Sequence, residues 1–143
     1  MILLAAAALF FIAAAAFVID KIRPTSDVIH AKVDIGQSDI FTEQDRAEAA
    51  ELVLEKVRDD FEYCKLLKLS YSGDSHSNNS EDLEWLNGMT SRGGGNFTQC
   101  IRFDSSERWT EDTGFCLKGE TDSFDFWLAR EDGGEWKIMT WGY

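Results

Sequence analysis

The feature that most constrains this chain is an uninterrupted apolar run at its start. Ile2 to Ile19 reads ILLAAAALFFIAAAAFVI, and no charged or polar side chain interrupts it. Ala and Leu are strong helix formers. Eighteen residues in a helix rise about 27 Å, close to the hydrocarbon thickness of a bilayer. Pro24 then stops any helix shortly past the run. A small soluble domain has no means of covering such a helix on every side.

Three readings compete: an uncleaved signal anchor, a cleaved signal peptide and a core helix. Ala14-Ala15-Ala16 offers the small residues that signal peptidase requires. Lys21 and Arg23 directly after the run favour a cytoplasmic body by the positive-inside rule. A signal-type apolar segment normally exports the chain behind it, and Asp20 offsets part of that positive charge. Charge alone therefore leaves the orientation open.

The rest of the chain is a different object. It carries every charged side chain of the protein, whose 26 acidic and 14 basic residues give a net charge of −12. From residue 42 onward the body alone stands at −11. Phosphate binding needs clustered Lys and Arg, so nucleic acid is excluded as a partner. Ten Phe and five Trp supply enough apolar mass for one folded core. The division expected is residues 1–19 as anchor or signal, 20–40 as a juxtamembrane tether with a short strand at 28–33, and 41–143 as the domain.

Within the domain, Thr42 and Asp45 form a capping-box pattern. Ala47, Ala50, Leu54, Val57 and Phe61 then recur at helical spacing, which predicts one long amphipathic helix ending near Glu62. Leu67, Leu69 and Tyr71 alternate with polar residues as a strand. Ser80 is placed to cap a short helix ended by Gly88, and the Gly93–Gly95 run after it reads as flexible. Alternation predicts further strands over 97–104, 124–129 and 136–141, with a brief one at 115–117. Glu131–Gly134 forms the turn of the final hairpin. The fold class expected is α+β: a long and a short helix on a curved antiparallel sheet of about four strands. The nearest architectures are the nuclear-transport-factor-2-like and cystatin-like superfolds, an analogy that carries no function.

The apolar start, the PTSDV tether, IGQSDIFTEQD entering the helix, DDFEYCKLLKLSYSGDSHSN and the ending FWLAREDGGEWKIMTWGY together resemble a particular group. The chain is similar to a family of small, N-terminally anchored bacterial proteins of unassigned function, common in gut Firmicutes. The resemblance runs from about Pro24 to Tyr143, and Gly134-x-Trp136 with Trp141-Gly142-Tyr143 is its most specific part. It implies a single-pass membrane location with the body extracytoplasmic. It brings no catalytic, cofactor or metal residues. This chain departs from the family in lacking Lys before the apolar run and in having Cys100 and Cys116.

Candidate chemistry is sparse. Three Cys with no CxxC spacing, and two distant His, argue against zinc. Cys100 and Cys116 would close a short disulfide loop in an oxidising compartment; buried free thiols are the alternative. Asp74, Ser75 and His76 are neighbours in one polar loop, which seldom holds a triad. Asp104 with Glu107, and Glu111 with Asp112, are acidic pairs without the spacing of a calcium loop. Trp127, Trp141 and Tyr143 share parity near the C-terminus and form a candidate aromatic binding face.

The expected function is a non-catalytic binding module of the cell envelope. Its bilayer contact would be residues 2–19, and its partner an envelope protein, a peptide or a glycan. The alternatives are a secreted protein after signal cleavage and a small pocket enzyme using a buried carboxylate as base. A buried, unpaired Asp or Glu inside a concave apolar pocket would favour the enzyme, and a filled sheet interior with flat exposed Trp would favour binding.

Overall fold

The computed structural model describes residues 26–142. The apolar run, and Tyr143, lie outside the described residues. Among the described residues no helix is long and apolar enough to cross a membrane.

Two helices pack on a mixed six-stranded sheet. The elements are β1 (Lys32–Asp34), α1 (Glu43–Asp60), β2 (Cys64–Tyr71), α2 (Ser80–Gly88), β3 (Gln99–Trp109), β4 (Thr121–Asp122), β5 (Asp125–Arg130) and β6 (Lys137–Gly142). The strands lie in the order β1-β2-β3-β5-β6, and β4 pairs with the far end of β3. The sheet is not wholly antiparallel as the sequence pattern suggested. β1 runs parallel to β2, with Val33 opposite Leu69. The stretch expected to be a tether enters the fold from Ser26 onward. Asp27 bridges Lys65, and Val28, Ala31 and Ile35 pack on the core.

α1 begins where the capping box places it. The Thr42 hydroxyl accepts from the Asp45 N–H at 3.1 Å, and the Asp45 carboxylate accepts from the Thr42 N–H at 3.1 Å. Its buried face is Arg46, Ala49, Ala50, Val53 and Val57; Ala47 is exposed. Of the expected stripe, Ala50 and Val57 are buried and Leu54 and Phe61 pack on the core, while Arg46 takes a core position that the pattern did not assign to it. Arg46 donates to the carbonyls of Ile35, Gly36 and Phe41, tying the incoming chain to the helix. Three backbone acceptors thus satisfy a buried guanidinium.

The sheet is covered on both faces. α1 lies over Leu66, Leu69, Ile101, Phe103, Phe126 and Leu128, the main core. α2 covers the other face, where Leu86 packs with Cys100, Ala129 and Met139. Asn79, not Ser80, caps α2, its side chain accepting from the Glu81 N–H at 2.9 Å. A bulge between Leu66 and Lys68 turns Leu67 outward, so the apolar face of β2 is carried by Leu66 and Leu69. Within the Gly-rich segment Gly94 is closely packed: a Cβ there would lie 2.4 Å from the Leu86 carbonyl. The 115–117 segment forms no strand; β4 takes that role six residues later.

Arg130 joins the layers at this same N-terminal end of α1. It donates to Gln99 at 2.7 Å, pairs with Asp45 at 2.8 Å and lies 4.2 Å over the Trp136 ring. Burial opposes ionisation of Asp45, yet the Thr42 hydroxyl and the Arg130 guanidinium hold its carboxyl below the usual range.

Candidate functional site

A cavity of about 610 Å³ opens at the C-terminal end of α1. Four separated parts of the chain build it. α1 ends at Phe61, whose N–H still donates to the Val57 carbonyl at 3.1 Å. Tyr63 then adopts a left-handed conformation, φ 58°, which reverses the chain into β2. The second part is the end of β3 with the loop after it, from Trp109 to Cys116; the third and fourth are Phe124 and Trp141.

Phe61 organises the aromatic wall. Its ring lies 6.5 Å from Trp109 in a stacked arrangement, 5.8 Å from Phe124 edge-on and 6.4 Å from Trp141. These distances suit the ring quadrupoles. The rim is acidic: Asp60, Glu62 and Asp112 line the cavity, and among the described residues no Lys or Arg does. Lys56 stands just outside, paired with Asp60 and 4.2 Å over the Trp141 ring. One face of that indole therefore already receives a cation.

The loop is tightly held. Tyr63 O accepts from the Thr110 N–H at 2.8 Å, and Cys116 O accepts from the Thr113 N–H at 2.8 Å. The Asp112 carboxylate accepts from the Lys118 N–H at 2.8 Å. These bonds turn Cys116 inward and leave Phe115 outside.

Behind the cavity wall lies a polar cluster that the sequence did not announce. Glu107 is fully buried, and neither of its oxygens has a hydrogen-bond partner among the described residues. The nearby Ser105 hydroxyl is bonded to the Phe124 carbonyl at 3.0 Å. Glu107 pairs across the strands with Asp122, so two carboxyls share one face. Burial raises the Glu107 carboxyl to about 7; the nearby Ser105 hydroxyl opposes this, and the negative charge of Asp122 adds to it. Asp122 is engaged on its other side: it accepts from the Trp109 indole at 3.0 Å and from the Cys116 thiol at 3.1 Å. Burial and the adjacent Asp122 raise that thiol to about 11, and burial with Glu107 raises Cys64 to about 12. Both are protonated at neutral pH and unsuited to nucleophilic attack.

The structure separates several residues that the sequence placed together. Cys100 and Cys116 are free thiols in different clusters, Cys100 under α2 and Cys116 on the α1 side. Cys100 is the second residue of β3, and Cys116 bonds to Asp122 opposite Glu107, seven residues further along. At about 3.3 Å per residue the two lie on the order of 20 Å apart, beyond disulfide reach. Trp127 and Trp141 point to opposite faces. Trp127 pairs with Thr140 and Trp141 with Phe126, so equal parity does not mean a common face at this end of the hairpin. Trp127 packs on Trp85 at 5.6 Å. The two rings meet only at a cleft of about 140 Å³ around the β6 edge. Tyr143 lies outside the described residues.

The triad geometry is absent among the described residues. Asp74 accepts from Ser38 at 2.5 Å and from Tyr71 at 2.7 Å, while His76 is exposed. Asp104 and Glu107 project to opposite faces of β3. Asp104 instead shares Arg102 with Asp125, at 2.7 and 3.0 Å. Among the described residues no group of three His, Cys, Asp or Glu is placed to hold a metal ion.

No family model, curated protein or solved structure matches the chain.

Proposed function

We propose that the chain is a non-catalytic binding module of the cell envelope, anchored by residues 2–19 with its body extracytoplasmic. The observation that supports a ligand site is the aromatic cavity at the end of α1. Its walls are Phe61, Trp109, Phe124 and Trp141, and its rim carries carboxylates with no lining cation among the described residues. Such a cavity suits a molecule with an apolar or aromatic body and a positive charge. An exposed amine of a peptide or an organic ammonium group meets that description.

Titrating the full chain in detergent micelles with benzyltrimethylammonium tests this, with benzenesulfonate as the anionic control. Tryptophan fluorescence should respond saturably to the cation and not to the anion, and Trp141→Ala should weaken the response at least fivefold. A response to neither probe, or one unchanged in Trp141→Ala, overturns the reading. Placement needs a separate thiol experiment. All three native cysteines are buried, so an impermeant maleimide requires a surface thiol such as Ser75→Cys. Labelling in intact cells is the expected result; labelling only after lysis refutes an extracytoplasmic body.

Glu107 favours a second reading, a pocket enzyme of the nuclear-transport-factor-2-like type with a carboxyl base. It is buried, unpartnered among the described residues and titrates near neutrality. Glu107 does not line the cavity, however, and Cys116 and Trp109 do. A substrate in the cavity would not reach it without displacement of that wall, which ranks binding above catalysis.

A further inference from the structure

We propose that the face around the cavity mouth rests on the surface of a zwitterionic bilayer, with Phe115 and Leu117 at the lipid interface. This rests on the reading of residues 2–19 as a membrane anchor.

The exposed rings and aliphatics of this end of the domain support it. Phe115 is 99% exposed and Leu117 60%, and Tyr63 and Trp141 beside them are 39% and 40% exposed. A fully solvated Phe at the tip of a loose loop would mean little. This loop is fastened at Thr113–Cys116, at Asp112–Lys118 and at Trp109–Gly119, where the Gly119 N–H donates to the Trp109 carbonyl at 2.7 Å. The buried Cys116 between them fixes both neighbours outward. Aromatic side chains with one wet and one apolar end collect at membrane interfaces.

The path of the chain supports it independently. Ser26, the first described residue, donates its N–H to the Arg58 carbonyl at 3.3 Å, near the end of α1. Asp27 donates to the Cys64 carbonyl at 3.0 Å. The Cys64 thiol has both the Ser26 hydroxyl and Cys116 near it, so the chain enters the domain beside the exposed loop. Seven residue steps separate Ile19 from Ser26 and extend at most about 25 Å. With residues 2–19 across the bilayer, this end is held close to the membrane. The Asp74–His76 end lies beyond the eight residues of β2, about 25 Å from this entry point along the strand.

Charge selects the lipid. The loop carries Glu111, Asp112 and Glu120 against Lys118, and the body is strongly acidic. Anionic headgroups would repel it, with a range set by ionic strength. A zwitterionic surface accepts the apolar tips without that repulsion.

The test uses the full chain in phosphatidylcholine nanodiscs, nitroxide-labelled at Leu117→Cys or at Ser75→Cys. The native thiols are buried and leave the label on the introduced one. At position 117 oxygen should relax the label more than a water-soluble nickel chelate does, and at position 75 the order should reverse. Phe115→Ser, or phosphatidylglycerol at low salt, should return the 117 label to aqueous behaviour. Aqueous values at both positions, in chains that remain in the discs, overturn the proposal and leave the anchor standing. Chains that elute free of lipid overturn the anchor and the proposal with it.

Discussion

Replacing Glu107 by Gln should stabilise the protein at alkaline pH and leave it nearly unchanged in acid. The carboxyl moves from an ordinary value of 4.5 to about 7 in the folded state, because burial and Asp122 disfavour its charge. Between these values the folded chain holds a proton that the unfolded chain has released. Stability therefore falls as pH rises from about 4.5 to 7, and is level above that. The whole effect is about 3 kcal/mol, from 1.36 kcal/mol per pH unit of displacement. At pH 4.5 the substitution exchanges one neutral polar group for another, and each meets the same lack of partners. At pH 8.5 it removes a buried charge, and Glu107→Gln should exceed wild type by about 2–3 kcal/mol. Urea unfolding of the full chain in detergent, followed by tryptophan fluorescence at several pH values, measures this. Titrations common to both proteins cancel in the difference. A difference constant from pH 5 to 8.5 would refute the reasoning, because it would mean that Glu107 ionises as freely folded as unfolded.

Arg46→Met keeps the volume but strands the carbonyls of Ile35, Gly36 and Phe41. Urea unfolding should show a loss of about 3 kcal/mol, with partial recovery in Arg46→Lys; a loss below about 1 kcal/mol contradicts the buried clamp. Gly94→Ala forces a Cβ to 2.4 Å from a backbone carbonyl and should cost about 2 kcal/mol or more, whereas Gly114→Ala meets open space and should stay within about 0.5 kcal/mol. Equal melting temperatures for the two glycine variants would argue against that close approach. Thiol titration at pH 8 should find all three cysteines slow in the folded chain and fast in denaturant, because burial keeps each protonated; rapid reaction of any one before unfolding would contradict its placement.

Local signals were the legible ones. The capping box and the helical period located α1, since both depend on neighbours within one turn. Most of the face it buries was legible too, since Ala50 and Val57 are buried and Leu54 and Phe61 pack on the core; Arg46 was missed because a charged residue in the pattern reads as solvent-facing. Alternation located β5 and β6 to within a residue or so. It misjudged the face of Trp141 because the register shifts between Trp127 and Leu128, and a one-residue shift reverses every side chain beyond it. Glu107 sat in a polar-looking run, Asp104 to Arg108, with nothing to mark it as buried.

The sequence by itself determined the features that depend on counting and spacing: an apolar head of bilayer length, a strongly acidic body, and an α+β order of elements. The tertiary structure decided the candidate site. The cavity draws Phe61, Trp109, Phe124 and Trp141 from separate elements, and Glu107 is flanked by Leu66 of β2 and Asp122 of β4 because both strands pair with β3. The parallel pairing of β1 and the parting of Cys100 from Cys116 belong to the same level. Such proximities depend on which strands become neighbours and in which register. Contacts distant in the chain set these, and no period within one segment encodes them.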